Sequence, residues 1–196
     1  ALAQTNTTNP FMNTNLLTYI IKQFKYYKHL GEQTFEQLKE QDLFWEANAG
    51  CNSIALIVQH LCGNMQSRWT DFLTSDGEKE WRDRDGEFEL SIQSQNEVLQ
   101  KWDDGWACLF NALMALKDKD MNKIILIRNQ RHTVAEALDR QMMHYAYHIG
   151  QIVMIGKIVK GEAWQSLSIA KGTSKEYNQN KFSQGPHGGH FSEEKK

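Results

Sequence analysis

The chain contains few residues that would interrupt or cross-link regular structure. Its only prolines are Pro10 and Pro186, and a long stretch without proline favours helices. Its three cysteines, Cys51, Cys62 and Cys108, are odd in number and widely spaced. This usage argues against a disulfide framework and favours reduced thiols in a cytoplasmic protein.

Long apolar runs and an excess of either charge are absent as well. No segment approaches the roughly 20 consecutive apolar residues of a membrane-spanning helix, so we expect no membrane partner. The formal net charge is only −2. A chain without a basic surface is not expected to bind nucleic acid.

What the sequence does contain is helical periodicity. Apolar residues recur at three-and-four spacing in four long segments, approximately residues 13–30, 52–73, 92–116 and 133–160. A shorter helix is predicted near residues 34–40 and an extended segment at residues 124–127. Four amphipathic helices with one apolar stripe each pack most simply as a four-helix bundle, so the predicted fold class is all-α.

The length is suited to one domain with a sizeable core. We predict a single bundle domain over residues 1–170. From Lys171 onward the sequence is polar and rich in glycine, so residues 171–196 are predicted to be a flexible tail. The charged segment 75–86 is rich in aspartate and glycine, which indicates turns. Within it, the run from Arg82 to Asp85 alternates in charge and is expected to be solvated and self-paired, with a lid over the bundle mouth as the alternative.

Two histidines of the fourth helix, His144 and His148, are four residues apart and therefore share one face. That face carries the apolar stripe, where an imidazole needs a polar partner. His60, near the middle of the second helix, could lie at the same depth. Three neutral imidazoles would bind Zn, Ni or a similar divalent ion and leave a coordination position open. Core histidines that merely form hydrogen bonds are the simpler alternative.

Other polar residues accompany the histidines. Asn64 and Arg68 follow His60 by one and two helical turns, and Gln141 and Gln151 flank the histidine pair. The glutamines could hydrogen-bond to the ligating rings or to a bound water. Arg68 could bind a carboxylate of a cofactor or substrate, although an ion pair with Asp71 or a loop carboxylate is the simpler explanation.

This pattern resembles the DinB/YfiT-like superfamily of four-helix bundles. The hallmark of that superfamily is one histidine in helix two and a His-x-x-x-His-x-Gly-Gln run in helix four. Here the matching residues are His60, His144, His148, Gly150 and Gln151. Longer segments, at residues 53–65, 68–73, 131–134 and 164–169, resemble one uncharacterised bacterial branch, and the resemblance covers about residues 12–170.

The resemblance implies a divalent metal on the three histidines, often Zn or Ni, and in several relatives a low-molecular-weight thiol cofactor. Characterised relatives include bacillithiol S-transferases and mycothiol-dependent enzymes, one of them a maleylpyruvate isomerase, and members often form homodimers. A metal-bound thiol loses its proton and becomes nucleophilic near neutral pH.

The resulting prediction is a metal-dependent thiol S-transferase that acts on small electrophiles. In this prediction Gln151, Asn64 or Arg68 orients the substrate. A metal-dependent hydrolase and a non-catalytic metal- or ligand-binding bundle are the alternatives.

Overall fold

The structure is a computed structural model that describes residues 16–186 and 191–193. Within these ranges the helices are α1 to α6 and one hairpin consists of strands β1 and β2. Their bounds are Leu16–Phe35 (α1), Glu40–Leu43 (α2), Ile54–Trp69 (α3), Gln95–Met114 (α4), Ile124–Ile127 (β1), Gln130–Thr133 (β2), Val134–Lys160 (α5) and Ser174–Ser183 (α6). Single turns of 3₁₀-helix occur at Gly86–Phe88, Asp118–Asp120, Gly161–Ala163 and Phe191–Glu193.

Hydroxyl side chains fix the starts of three long helices. The hydroxyl oxygens of Ser53, Ser94 and Thr133 accept hydrogen bonds from backbone N–H groups in the first turns of α3, α4 and α5. The N-terminus of α5 also has a full capping box, in which the Glu136 carboxylate accepts from the Thr133 N–H. Each cap satisfies a backbone donor that the helix leaves unpaired, so the sequence determines where these helices begin.

The four long helices pack as the predicted all-α bundle. The most extensive contacts join α3 to α4 and α1 to α5, and smaller contacts join α3 to α5 and α1 to α4. The α3–α4 contact is close at Gly105, where a Cβ atom would lie 3.1 Å from Cα of Cys62. An aromatic group that includes Phe24, Trp106 and Tyr145 fills the centre of the bundle. This packing brings the middle of α3 against the middle of α5.

Several predicted helix boundaries differ from the structure. The helix predicted over residues 52–73 ends at Trp69, and the one predicted over residues 92–116 spans Gln95–Met114. The first helix does not end at Leu30 but continues to Phe35, because Gly31 packs directly beneath the Trp102 ring, where a Cβ atom would lie 2.4 Å from the ring. The short helix lies at Glu40–Leu43 instead of near residues 34–40. The predicted start of the first helix at residue 13 lies outside the described residues.

The extended segment 124–127 is confirmed as strand β1, and it pairs with β2, which the sequence analysis did not predict. The two-residue turn between the strands consists of Arg128 and Asn129, with φ angles of 52° and 59°. Two successive positive φ angles are the conformation that a tight hairpin requires, but arginine rarely adopts it. The Asp76 carboxylate supports this turn by accepting hydrogen bonds from both backbone N–H groups, at 2.8 and 2.7 Å.

The segment predicted to be a flexible tail contains α6, which buries none of its residues. Farther along, the Phe191 ring packs edge-on against Tyr26 of α1, with ring centroids 5.2 Å apart. The flexibility of this segment stays a prediction. Among the described helices, none is both long enough and apolar enough to cross a membrane.

Candidate metal centre

The three histidines selected from the sequence meet inside the bundle. Nε2 of His144 lies 3.4 Å from Nε2 of His60 and 3.1 Å from Nε2 of His148. All three potential ligand atoms lie within 4.8 Å of one another. His60 and His148 are buried, and His144 is partly buried. The expected convergence of α3 and α5 on one point is therefore present.

These spacings fit a single metal ion. A Zn–N bond of about 2.0–2.1 Å with tetrahedral angles separates two ligand nitrogens by about 3.3 Å. The two Nε2 separations at His144 are close to that value. The third pair, His60 and His148, lies within the wider bound of 4.8 Å.

A buried glutamate fixes the orientation of His60. Oε2 of Glu87 lies 2.9 Å from Nδ1 of His60, and both side chains are less than a tenth exposed. Burial alone would raise the pKa of Glu87, but the hydrogen bonds from His60 and Arg82 outweigh it and lower that pKa. The ionised carboxylate can only accept, so Nδ1 of His60 carries the proton and Nε2 presents its lone pair to the centre.

Gln151 has the same relationship to His148. Its Oε1 accepts a hydrogen bond from Nδ1 of His148 at 3.0 Å, one helical turn away. The Nε2 of His148 therefore also presents a lone pair. His144 can donate a proton to only one of its two neighbours, and its own Nδ1 is buried with no hydrogen-bond partner among the described residues. The Nε2 lone pairs of His60 and His148 both face His144, whose single N–H proton can serve only one of them. A cation can accept a lone pair from each of the three rings, so it satisfies the cluster better than protons do.

Burial keeps the two α5 imidazoles neutral. Desolvation, followed by repulsion from the neighbouring histidines, lowers the pKa of His144 to about 3. Desolvation and repulsion from His60 lower the pKa of His148 to about 4. Neutral imidazole is the form that binds a metal, so both rings are ready to act as ligands at neutral pH.

Asn64 and Arg68 line a cleft beside the histidines, as their spacing predicts. The Asn64 Oδ1 accepts a hydrogen bond from the Tyr145 hydroxyl, which in turn accepts from Nε1 of Trp69. This buried chain fixes the position of the Asn64 amide. The expected ion pair of Arg68 with Asp71 or a loop carboxylate is absent: none of the described carboxylates lies within 4 Å, and Nε and Nη1 have no hydrogen-bond partner.

The comparison with known proteins agrees with the extent of the bundle. The family described as "Protein of unknown function (DUF1572)" matches residues 12–173, which is most of the chain. The chain belongs to the DUF1572 family. No curated protein and no solved structure matches it significantly.

In this DUF1572 chain, one cavity includes two of the three histidines in its wall, and another reaches Gln151, which bonds to His148. A groove of about 630 Å³ is lined mainly by apolar side chains and by Gln151. A smaller cleft of about 190 Å³ includes His60 and His144 in its wall and is otherwise polar. The remaining wall residues of the smaller cleft are Asn64, Arg68, Arg82, Arg84, Arg128, Arg140 and Gln141.

The charged loop is exposed at Asp83, Arg84 and Asp85 and pairs internally through Arg82 and Glu78, as expected, but the chain at both of its ends packs on α3. It packs on α3 near its start, where the Ser67 hydroxyl donates to the Gly77 carbonyl and accepts from the Lys79 N–H, both at 3.1 Å. It packs on α3 again after its end, where the Gln59 amide donates to the carbonyls of Glu87 and Glu89 at 3.1 and 2.9 Å. A lid over the bundle mouth stays a prediction.

Sequence analysis missed Arg82, which this loop supplies, and Glu87, which lies in the 3₁₀ turn that follows the loop. Nε and Nη2 of Arg82 donate to the two oxygens of the Glu87 carboxylate at 2.7 and 2.8 Å. The available signal was Phe88, an aromatic residue at the end of a charged segment, which stacks on the His60 ring with centroids 4.7 Å apart.

Proposed function

We propose that this protein is a divalent-metal-dependent enzyme whose ion, Zn or Ni, is bound by His60, His144 and His148. The observation that supports this most directly is the convergence of three Nε2 atoms from two helices. The Glu87 carboxylate behind His60 adds to that support, because carboxylate–histidine pairs are typical of functional metal sites.

We further propose that the reaction is thiol S-transfer to small electrophiles, as in the DinB-like bundles that this sequence resembles. Three protein ligands leave room for a fourth. A divalent ion bound there would lower the pKa of a thiol or water in that position. The part of the chain that carries this activity is residues 1–170, and the family match over residues 12–173 supports that boundary.

The chain's own residues would hold and orient the reactants. Glu87 and Gln151 keep two imidazoles in the tautomer that faces the centre. The apolar groove, with Ile57 and Met154 in its wall, suits the organic part of an electrophile or thiol. On the other side of the histidines, Asn64 and Arg68 supply an amide and a guanidinium for polar groups of the substrate.

Metal stoichiometry tests the foundation of this proposal. Full-length protein should bind about one zinc or nickel ion per chain, and the His148→Ala variant should lose it. His132→Ala is the matched control, because His132 lies in strand β2 and takes no part in the cluster. Equal metal content in all three proteins would reject the site, whatever ions the histidines of the tail bind.

Turnover tests the reaction. Metal-loaded protein should conjugate a low-molecular-weight thiol to an electrophilic dye, and chelation or His148→Ala should abolish that rate. Hydrolysis of ester or amide substrates without any thiol would replace the transferase with a hydrolase. Metal binding without either activity would leave a non-catalytic binding bundle.

A further inference from the structure

The small cleft beside the metal centre has an unusual concentration of positive charge. Five guanidinium groups line it, together with His60 and His144, in a volume of only about 190 Å³. The arginines come from distant parts of the chain: α3, the charged loop, the hairpin turn and α5. Their side chains are Arg68, Arg82, Arg84, Arg128 and Arg140.

Two carboxylates compensate only part of this charge. Arg82 binds Glu87 and also donates to Glu78 at 3.0 Å, and Arg128 lies 3.4 Å from the same Glu78 carboxylate. The other arginines have no carboxylate partner in the described chain. Arg84 packs over the Phe88 ring at 5.6 Å from its centroid, and Arg140 lies 3.3 Å from Nε2 of His132.

Arg68 shows most clearly that a partner is missing. Its side chain is only 4% exposed, yet Nε and Nη1 have no hydrogen-bond partner among the described residues. The Arg68 guanidinium lies in space that Gly77 leaves open, because a Cβ atom on Gly77 would lie 2.7 Å from Nη1 of Arg68. Burial lowers the pKa of Arg68, but a guanidinium stays charged near neutral pH. A buried and unpaired charge is costly, so the cleft is complementary to an anion that the chain itself does not supply.

We propose that this cleft binds an oxyanion group, either a carboxylate or a phosphate, with Arg68 as its central ligand. Planar guanidinium groups bind both kinds of oxyanion through paired N–H donors. The volume suits one such group and a short attached chain. Because His60 and His144 form part of the same wall, the reacting atom of a bound molecule would lie close to its anionic group. That last step rests on the proposed function, whereas the binding of an anion does not.

The test uses the full chain in metal-free and zinc-loaded forms, titrated calorimetrically with inorganic phosphate and with succinate at constant ionic strength. We expect saturable binding of about one anion per chain, with the tighter probe identifying the oxyanion class. Arg68→Met should weaken binding about ten- to hundredfold, the effect expected from losing charged hydrogen bonds. Arg131→Met is the control, because Arg131 is exposed on strand β2 and lies outside the cleft.

A stability measurement separates a binding role for Arg68 from a structural one. In buffer without oxyanions, Arg68→Met should melt at the same temperature as the wild type or higher, because it removes an unpaired buried charge. Arg140→Met gives a second variant at the exposed side of the cleft and should weaken binding severalfold without a change in folding.

Three outcomes would overturn the proposal. The first is no saturable binding of either probe, and the second is equal weakening of anion binding in the Arg68→Met and Arg131→Met variants. The third is a large loss of stability in Arg68→Met together with unchanged anion affinity in Arg140→Met. Failure of the proposed function is visible separately. It appears as missing metal in the wild type while the metal-free protein still binds the anion.

Discussion

Glu87 and His60 are 27 residues apart in sequence but share a buried hydrogen bond of 2.9 Å between Oε2 and Nδ1. Arg82 binds both oxygens of the same carboxylate. The guanidinium thus keeps Glu87 ionised, and Glu87 holds the His60 ring with its Nε2 toward the other histidines. A loop that looks like ordinary charged surface in the sequence therefore controls the geometry of the candidate metal centre.

Replacing Glu87 with glutamine should weaken metal binding. The amide can still accept a hydrogen bond from His60, but it lacks the charge that makes the imidazole a stronger ligand, and it removes one of the two carboxylates that bind Arg82. Loss of such a contact behind a ligand typically lowers metal affinity about 10- to 100-fold. Competition with a chromophoric zinc chelator measures the change. Glu89→Gln, an equal change of charge at an exposed position, should bind zinc as the wild type does.

A methyl group at position 63 should have a similar effect by a steric route. A Cβ atom on Gly63 would lie 2.3 Å from Oε1 of Glu87, so Gly63→Ala must displace that carboxylate from α3. We expect lower zinc affinity and a loss of about 1–3 kcal/mol in the free energy of unfolding, which is typical of overpacking. Gly150→Ala is the control, because no atom lies within 4 Å of its added Cβ. Equal affinity of the two variants would mean that the position of Glu87 is unimportant.

The sequence predicted the part of the site that regular helices determine. His144 and His148 share a helical face by spacing alone, and His60 lies opposite them once α3 and α5 pack together. Asn64 and Arg68 follow from the same helical geometry. Their presence in one cleft agrees with that prediction, whereas their action on a substrate stays a prediction.

The part that sequence could not give depends on where irregular chain packs. Glu87 is buried because Gly63 leaves room for it and Gln59 binds the backbone around it, and neither condition is visible as a periodic pattern. The hairpin was missed for a similar reason. Its turn residues, Arg128 and Asn129, contain no glycine and depend on a carboxylate about fifty residues earlier, at Asp76.

Asp76→Asn should loosen the loop that supplies Arg82 to the candidate site. The carboxylate accepts three backbone hydrogen bonds, from Glu78, Asn129 and Arg128. Burial alone would raise the pKa of Asp76, but these hydrogen bonds outweigh it and lower that pKa. Asparagine cannot accept with both terminal atoms, so we expect a loss of about 1–2 kcal/mol in the free energy of unfolding.

Hydrogen exchange should locate that change. The amides of Arg128 and Asn129 should lose protection in Asp76→Asn, and the core amides of α3 should keep theirs. Asp139→Asn is the control, since Asp139 is exposed on α5 and changes charge in the same way. Protection of the turn amides at the wild-type level would contradict the support that we assign to Asp76.

The pH dependence of stability should report the buried histidines directly. Desolvation lowers the pKa of His144 to about 3 and that of His148 to about 4, whereas both should be near 6.5 in the unfolded chain. As the pH falls below about 6.5, the unfolded chain takes up protons on these rings and the folded chain does not. The free energy of unfolding of the metal-free protein should therefore decrease from pH 7 toward pH 4.

Thermal melts of metal-free protein between pH 7 and pH 5 measure this slope without protonating the carboxylates. The double variant His144→Ala, His148→Ala should show a shallower slope, whatever its absolute stability. The slope depends on how many more protons the unfolded chain binds than the folded chain, and not on packing. Met143→Ala, an exposed truncation on the same helix, should keep the wild-type slope. Zinc should bind more weakly over the same range, since protons compete for the ring nitrogens. Identical slopes in the wild type and the double variant would show that the two rings titrate as they do in the unfolded chain, and the argument for preformed neutral ligands would fail.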